Sequence, residues 1–152
     1  MTTSEHKKNT KYDISIGFMI YNDQQKFLLL QKTIDHLWDF PKGHFNPGER
    51  EELQVALREL EEETGIVQEE IKIARPFRHE HTFSNLEGTQ RKIVLFLANC
   101  NADPILSKEH QAFVWVELNK AKELMRFPEK QKALQEAADF LKKILKNGYP
   151  QP

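Results

Sequence analysis

Cysteine is almost absent. Cys100 is the only one, so no internal disulfide can form, and the chain suits a reducing compartment. Long apolar runs are missing too. Stretches such as Ile93–Ala98 fall far short of the roughly 20 residues that span a bilayer, and Met1–Lys11 is polar, so neither an anchor nor a signal peptide is visible. A cytoplasmic protein with no membrane partner is expected. Charge of one sign is also lacking: 23 acidic against 22 basic side chains leave a formal net charge of −1, hence no global field to draw in nucleic acid or an anionic surface. Any charged ligand must be met locally. The 152 residues suffice for one domain that buries about two thirds of its unfolded surface, and a monomer is expected.

What is present alternates strand and helix. Met1–Thr10 reads as a disordered tail and 11–146 as the folded domain. Tyr12–Tyr21 and Phe27–Lys32, rich in Ile, Phe and Leu, flank Asn22-Asp23-Gln24-Gln25 and predict two strands joined by a hairpin turn. Thr33–Glu49, with Trp38, Phe40, Pro41, Gly43, Pro47 and Gly48, predicts a long ordered loop that Trp38 pins to the core. In Glu51–Thr64 the residues Leu53, Ala56, Leu57 and Leu60 recur on one helical face, and Gly65 is placed as a C-cap. Further strands are predicted at Ile71–Ala74, Phe77–Phe83, Arg91–Asn99 and Phe113–Leu118, divided by the turn-forming runs Ser84–Thr89 and Asn99–Pro104. A last helix, Glu129–Lys146, carries the stripe Ala133, Leu134, Ala137, Phe140, Leu141, Ile144 and Leu145 and stops at Asn147-Gly148, with Tyr149-Pro150 as a frayed end. The Lys and Glu content of Lys120–Lys146 reads as a solvated helix face. This order of elements predicts an α/β fold, a mixed β-sheet sandwiched between α-helices.

The helix Glu51–Thr64 carries the chemistry. At about 100° per residue, Glu59, Glu62 and Glu63 fall within an arc of about 100° beside the stripe centred near Leu60. Carboxylates at these spacings lie about 5–6 Å apart and repel, which weakens the helix unless something offsets the charge. A hard divalent cation such as Mg²⁺ does so through carboxylate oxygens, and it keeps positions for water and phosphate. The plain alternative is a solvated acidic face.

The loop in front of the helix separates these readings. Gly43, Glu49, Arg58-Glu59-Leu60, Glu62-Glu63 and Gly65-Ile66 resemble the Nudix box: Gly, then Glu, then Arg-Glu-apolar-x-Glu-Glu-x-Gly-apolar. One departure stands out. Eight residues separate Glu49 from Arg58, where the family pattern has seven, so Glu49, Glu51 and Glu52 are all open as the supporting carboxylate. The resemblance implies a Nudix fold and a Mg²⁺ cofactor, with Mn²⁺ as a substitute. It also implies that Glu59 and Glu63 are metal ligands, that Glu62 binds metal or orders water, and that the Gly43 carbonyl completes the site. Arg58 is implied to orient carboxylates by charge-assisted hydrogen bonds. The implied reaction is attack of a metal-activated water on a phosphorus of a polyphosphate. Glu62 and Glu109 are both candidate bases, and a Glu on such a loop also approaches the metals in this family.

Outside the box the chain resembles the asymmetrical diadenosine tetraphosphate hydrolases of this family, from about Ser15 to Leu141. Pro41-Lys42-Gly43-His44, Pro47-Gly48-Glu49, Glu109-His110-Gln111-Ala112 and Trp115 carry that likeness. It implies a dinucleoside polyphosphate substrate cut to ATP and AMP. Where that branch sandwiches adenine between aromatics, this chain has Phe83 and Phe127, and stacking of this kind is worth about 1–3 kcal/mol per base. A core position is the equal alternative for each. Lys42, His44 and Arg91 are the expected phosphate contacts; Arg91 and Lys92 point to opposite faces of a strand, so only one of them can serve. His79 and His81 share a strand face and, with Glu80, resemble a partial zinc site, but no third ligand is evident, and histidines facing the cleft or solvent are the better expectation. Two other activities stay open: a Nudix pyrophosphohydrolase acting on RNA 5′ ends or on diphosphoinositol polyphosphates, for which Gln90-Arg91-Lys92 is the pointer, and an inactive binding module, which the intact Glu59, Glu62 and Glu63 oppose.

Overall fold

The computed structural model describes residues 12–147, so the expected N-terminal tail and Gly148-Tyr149-Pro150 lie outside it. The described residues form eight strands: β1 (Tyr12–Tyr21), β2 (Phe27–Lys32), β3 (Trp38–Asp39), β4 (Lys42–Gly43), β5 (Lys72–Ile73), β6 (His79–Ser84), β7 (Gln90–Asn99) and β8 (His110–Val116). Three α-helices accompany them: α1 (Glu52–Thr64), α2 (Leu118–Met125) and α3 (Pro128–Asn147). Among the described residues no helix is long and apolar enough to cross a membrane.

All eight strands join one mixed sheet. β1 and β7 run parallel at its centre over the full length from Tyr12↔Gln90 to Tyr21↔Asn99, and the other pairings are antiparallel. A strand covered on both faces should be apolar on both, and β1 is. Its Ile16, Phe18 and Ile20 enter a core with Val55, Ala56 and Leu60 of α1. Met19 and Tyr21 enter a second core with Ala121 and Met125 of α2 and Ala133, Leu134, Ala137 and Leu141 of α3. The sheet is therefore sandwiched as the sequence predicts, with α1 on one face and α2 and α3 on the other. In the β1–β2 turn, the Asn22 side chain accepts hydrogen bonds from the amides of Gln24 and Lys26, both at 3.0 Å, which closes the loop.

Several boundaries differ from expectation. The segment Thr33–Glu49 is not all loop: β3 pairs with β2, and β4 pairs with β1 at Ile16↔Gly43 and Gly17↔Lys42, so the box glycine lies on the sheet. A Cβ on Gly17 would stand 2.0 Å from the Pro41 carbonyl oxygen, which is why β4 can approach β1 so closely. β6 begins at His79 and runs through Ser84 rather than starting at Phe77. Phe77 instead packs edge-on against Phe140 of α3, centroids 5.5 Å apart. β8 starts earlier than expected because His110 and Ala112 pair with Lys32 and Gln31 across the sheet. Helix α2 was not expected as a separate element. Its eight residues bury only Ala121 and Met125, too few for a visible periodicity.

Candidate active site

Helix α1 begins after Glu51 and ends at Gly65, whose left-handed backbone (φ 71°) lets its amide donate to the Glu61 carbonyl at 2.8 Å. The carbonyls that α1 leaves unpaired beyond this point receive the segment leading into β8. Ile105 N–H donates to Thr64 O at 2.8 Å and Ser107 N–H to Glu63 O at 3.3 Å. From the other side, Thr33 N–H donates to the Glu109 carbonyl at 2.8 Å. Glu109 is thereby clamped beside the last turn of α1, and Glu63, Glu109, His110 and Lys42 line one cleft of about 560 Å³.

Glu63 is buried, with 5% of its surface exposed. Burial pushes its carboxyl far above the ordinary carboxylate range, and the neighbouring Glu59 and Glu109 push it further. Gly43 sits directly against Glu59: a Cβ there would lie 2.1 Å from the Glu59 carboxyl carbon. Only glycine lets strand β4 and this carboxylate meet. Arg58 organises the rest, donating to Glu49 from Nε at 2.8 Å and from Nη2 at 3.0 Å, to Glu59 at 2.7 Å, to both oxygens of Glu62 at 3.0 and 3.1 Å, and to the His44 carbonyl at 2.6 Å. The extra residue before Arg58 therefore does not displace Glu49. Its carboxyl is held below its ordinary range, first by Arg58 and then by the Asn46 amide. Glu52 is engaged elsewhere, in a fork on Arg78 at 2.8 Å, and Glu51 caps α1 without a side-chain bond.

Chemically, paired hard oxygens of which one is buried against another suit a divalent cation, since a cation relieves the repulsion that otherwise protonates Glu63. Glu59 and Glu63 are the fitting pair, with Glu109 across the cleft. Glu62 is turned away onto Arg58. Among the described residues no three His, Cys, Asp or Glu side chains are already gathered in ligating geometry.

One residue of the site was not foreseen. Asp39, only 1% exposed, is met by Lys42 at 2.5 Å, Lys130 at 3.0 Å and Lys32 at 3.9 Å. Burial alone would raise its pKa, yet Lys42 and Lys130 hold it well below the usual carboxylate range. Lys130 is itself held below the ordinary lysine range, because burial outweighs its attraction to Asp39. Its ammonium also stands 5.0 Å from the ring centroid of Phe127. Lys130 thus connects the carboxylate cleft to a second cavity, of about 340 Å³, lined by His81, Phe83, Phe127, Pro128, Glu129 and Lys130. Phe83 and Phe127 are 43% and 44% exposed, so the core reading of both is excluded.

The remaining expected contacts lie apart from both cavities. His44 Nδ1 donates to Ile14 O at 3.0 Å and reaches Asp13 at 3.1 Å, and Arg91 pairs with the other oxygen of Asp13 at 3.2 Å. Lys92 pairs with Glu80 at 3.4 Å. His79 is buried, contrary to the expectation that it faces cleft or solvent. It bonds to His81 and to Glu136 rather than sharing a common point with them.

A model of the NUDIX domain matches residues 11–137. The chain belongs to the Nudix family. The mouse (Mus musculus) bis(5'-nucleosyl)-tetraphosphatase [asymmetrical] is 40% identical over 124 residues, spanning 79% of this chain and 83% of that protein. The crystal structure of a binary complex of the C. elegans Ap4A hydrolase superposes with a TM-score of 0.80 at 33% identity, covering 86% of this chain and 98% of that one. An RNA pyrophosphohydrolase of Proteus mirabilis is 38% identical over 68 residues, 45% of this chain and 38% of that protein. Nudix hydrolases work with a divalent cation, and the Glu59–Glu63 pair is chemically suited to hold one.

Proposed function

We propose that this Nudix enzyme hydrolyses diadenosine tetraphosphate asymmetrically, to ATP and AMP, with Mg²⁺ as cofactor and Mn²⁺ as a substitute. The observation that carries the reading is the pair of half-exposed rings, Phe83 and Phe127, in one cavity joined through Lys130 and Asp39 to the carboxylate cleft. The substrate is chemically symmetric, so cutting it unequally requires that one end be held at a fixed distance from the reacting phosphorus. A single aromatic cavity offset from the carboxylates does this. Its volume is in the range of small-molecule sites, and stacking tolerates the base while the cations meet the phosphates.

Glu59, Glu63 and the Gly43 carbonyl hold the metal in this reading, with Glu62 as a further candidate ligand through water. The cation, when bound, lowers the pKa of water and neutralises charge on phosphoryl oxygens. Lys42 orients and neutralises the phosphate chain in the cleft, while His44 and Arg91 are gathered on Asp13, beside β4 and apart from both cavities. Of the two candidate bases we favour Glu109. Arg58 occupies both oxygens of Glu62, whereas the exposed Glu109 carboxylate has no ion-pair partner among the described residues and lines the cleft. A Glu109 oxygen takes the proton of the attacking water. Accordingly Glu109→Gln lowers kcat more than Glu62→Gln.

The RNA alternative rests on Gln90-Arg91-Lys92, and both cations there are already paired with carboxylates. A hydrolysis panel with products identified by mass tests the choice: dinucleoside polyphosphates, dNTPs, 5′-triphosphorylated RNA and diphosphoinositol polyphosphates. Cleavage of diadenosine tetraphosphate to ATP and AMP supports the reading. Intact dinucleotide beside a processed RNA or inositol compound overturns it, and turnover of nothing returns the binding module.

A further inference from the structure

Strand β6 presents His79, His81 and Phe83 on one face, running from the core to the rim of the aromatic cavity. His79 is 3% exposed, and its two ring nitrogens are both engaged: Nδ1 lies 2.7 Å from a carboxylate oxygen of Glu136 on α3, and Nε2 lies 2.8 Å from Nδ1 of His81. His81 continues toward Phe83, their rings 6.0 Å apart and inclined by 29°. Its other nitrogen, Nε2, has no bonding partner among the described residues, and the side chain lines the cavity that holds Phe83 and Phe127.

We propose that His81 is a specificity-determining residue, reading the polar edge of the nucleobase in that cavity through Nε2, with the hydrogen-bonding sense of that nitrogen set by Glu136 through His79. This rests on the dinucleotide reading above. The direction of the chain follows from what each atom can do. An ionised carboxylate only accepts, so His79 Nδ1 must donate to Glu136. In a neutral ring the other nitrogen then carries a lone pair, so His79 Nε2 accepts and His81 Nδ1 donates to it. That leaves His81 Nε2 with its lone pair facing the cavity. Burial holds His81 below the ordinary histidine range, in keeping with a neutral ring. The charged groups around it are Glu129, Lys130 and Glu136 of α3, and Lys130 is occupied by Asp39.

An outward acceptor favours a base edge bearing an exocyclic amine, as in adenine, over one bearing a carbonyl at the same position, as in hypoxanthine or guanine, because two acceptors left facing each other lose a hydrogen bond and stay desolvated. Phenylalanine faces cannot make this distinction, since every base has a π-surface. Stacking supplies holding and His81 supplies choice.

The test compares diadenosine with diinosine tetraphosphate as substrates of the Mg²⁺-loaded enzyme, taking the ratio of their kcat/KM values. The wild-type chain should favour adenine by about five- to a hundredfold, the usual consequence of one polar group left unpaired. His81→Leu should bring the ratio close to one through a higher KM for the adenine substrate, with kcat nearly unchanged. Glu136→Lys replaces an acceptor with a donor, reverses each bond along the chain and turns His81 Nε2 into a donor, so the ratio should move toward hypoxanthine. A merely structural role for these residues would alter both substrates equally and leave the ratio alone. An unchanged ratio in His81→Leu, or no wild-type preference, overturns the inference while leaving the proposed activity standing; an unmoved ratio in Glu136→Lys overturns the relay. An enzyme that cuts neither dinucleotide overturns both readings.

Discussion

Glu63 carries a conflict that folding does not remove. It is buried beside Glu59 and faces Glu109, so the metal-free protein must either protonate it or hold like charges together. Glu63→Gln and Glu59→Gln keep the shape and delete a charge. Each should lower turnover by orders of magnitude, while the melting temperature measured in chelator stays level or rises as the repulsion is relieved. Near-wild-type turnover in Glu63→Gln would remove the metal mechanism. The sign of the pH effect follows from the raised pKa. The unfolded carboxyl ionises near the ordinary value of about 4.3 while the folded one stays protonated, so metal-free stability is fully present below that value and declines as pH rises through the folded pKa. Adding Mg²⁺ to the chelated protein should reverse the decline, and thermal melts across the neutral and alkaline range with and without metal check it.

At the scale of elements, Asp39 fastens the start of α3 to β3 and β4. Asp39→Asn leaves Lys130 and Lys42 without their counter-charge in a buried site and should cost about 3–5 kcal/mol, read by denaturant melts. Here the linkage runs the opposite way. Asp39 is held below its unfolded pKa of about 3.9, so its contribution is present above that value and is lost as pH falls toward the folded pKa. The acid limb of the stability curve should flatten in the variant. Little of this was visible beforehand. Helix α1 could be read from the spacing of Leu53, Ala56, Leu57 and Leu60 and from Gly65, because those signals are local. Asp39 lies between Trp38 and Phe40 in a stretch with no period, and its burial depends on lysines from three separate elements. The pairing of His79 with Glu136 joins positions 57 residues apart, which no local pattern records. Two-residue strands such as β3 and β4 exist only because β2 and β1 stand beside them. The box itself is legible down to Arg58 and Glu63, yet its eight-residue spacing leaves Glu49 undecided, and only the fold, in which Arg58 grips Glu49, decides it.

For the whole molecule, the joined cavities make substrate class testable through the rings. Phe83→Leu and Phe127→Leu keep apolar bulk and remove the π-face. KM for diadenosine tetraphosphate should rise roughly five- to a hundredfold in each, corresponding to about 1–3 kcal/mol of stacking, with kcat little changed. Because both rings are half-exposed, melting temperatures should hold. An unchanged KM in both variants would sink the base clamp and favour the non-adenosine substrates.

The parallel pairing of β1 with β7 has a kinetic corollary. The two central strands of the sheet are separated by 78 positions of chain (90 − 12), Tyr12 lying against Gln90 and Tyr21 against Asn99. A chain emerging in sequence order therefore makes its most buried strand first and must keep it unpaired along one side until most of the domain exists. Closure of so long a loop precedes any reward from the contact, which places refolding among the slower, millisecond-to-second class of small domains. During that interval Ile16, Phe18, Met19 and Ile20 form an exposed edge suited to another copy of itself. Fragments ending before Gln90 should accordingly aggregate, where the full chain stays dispersed.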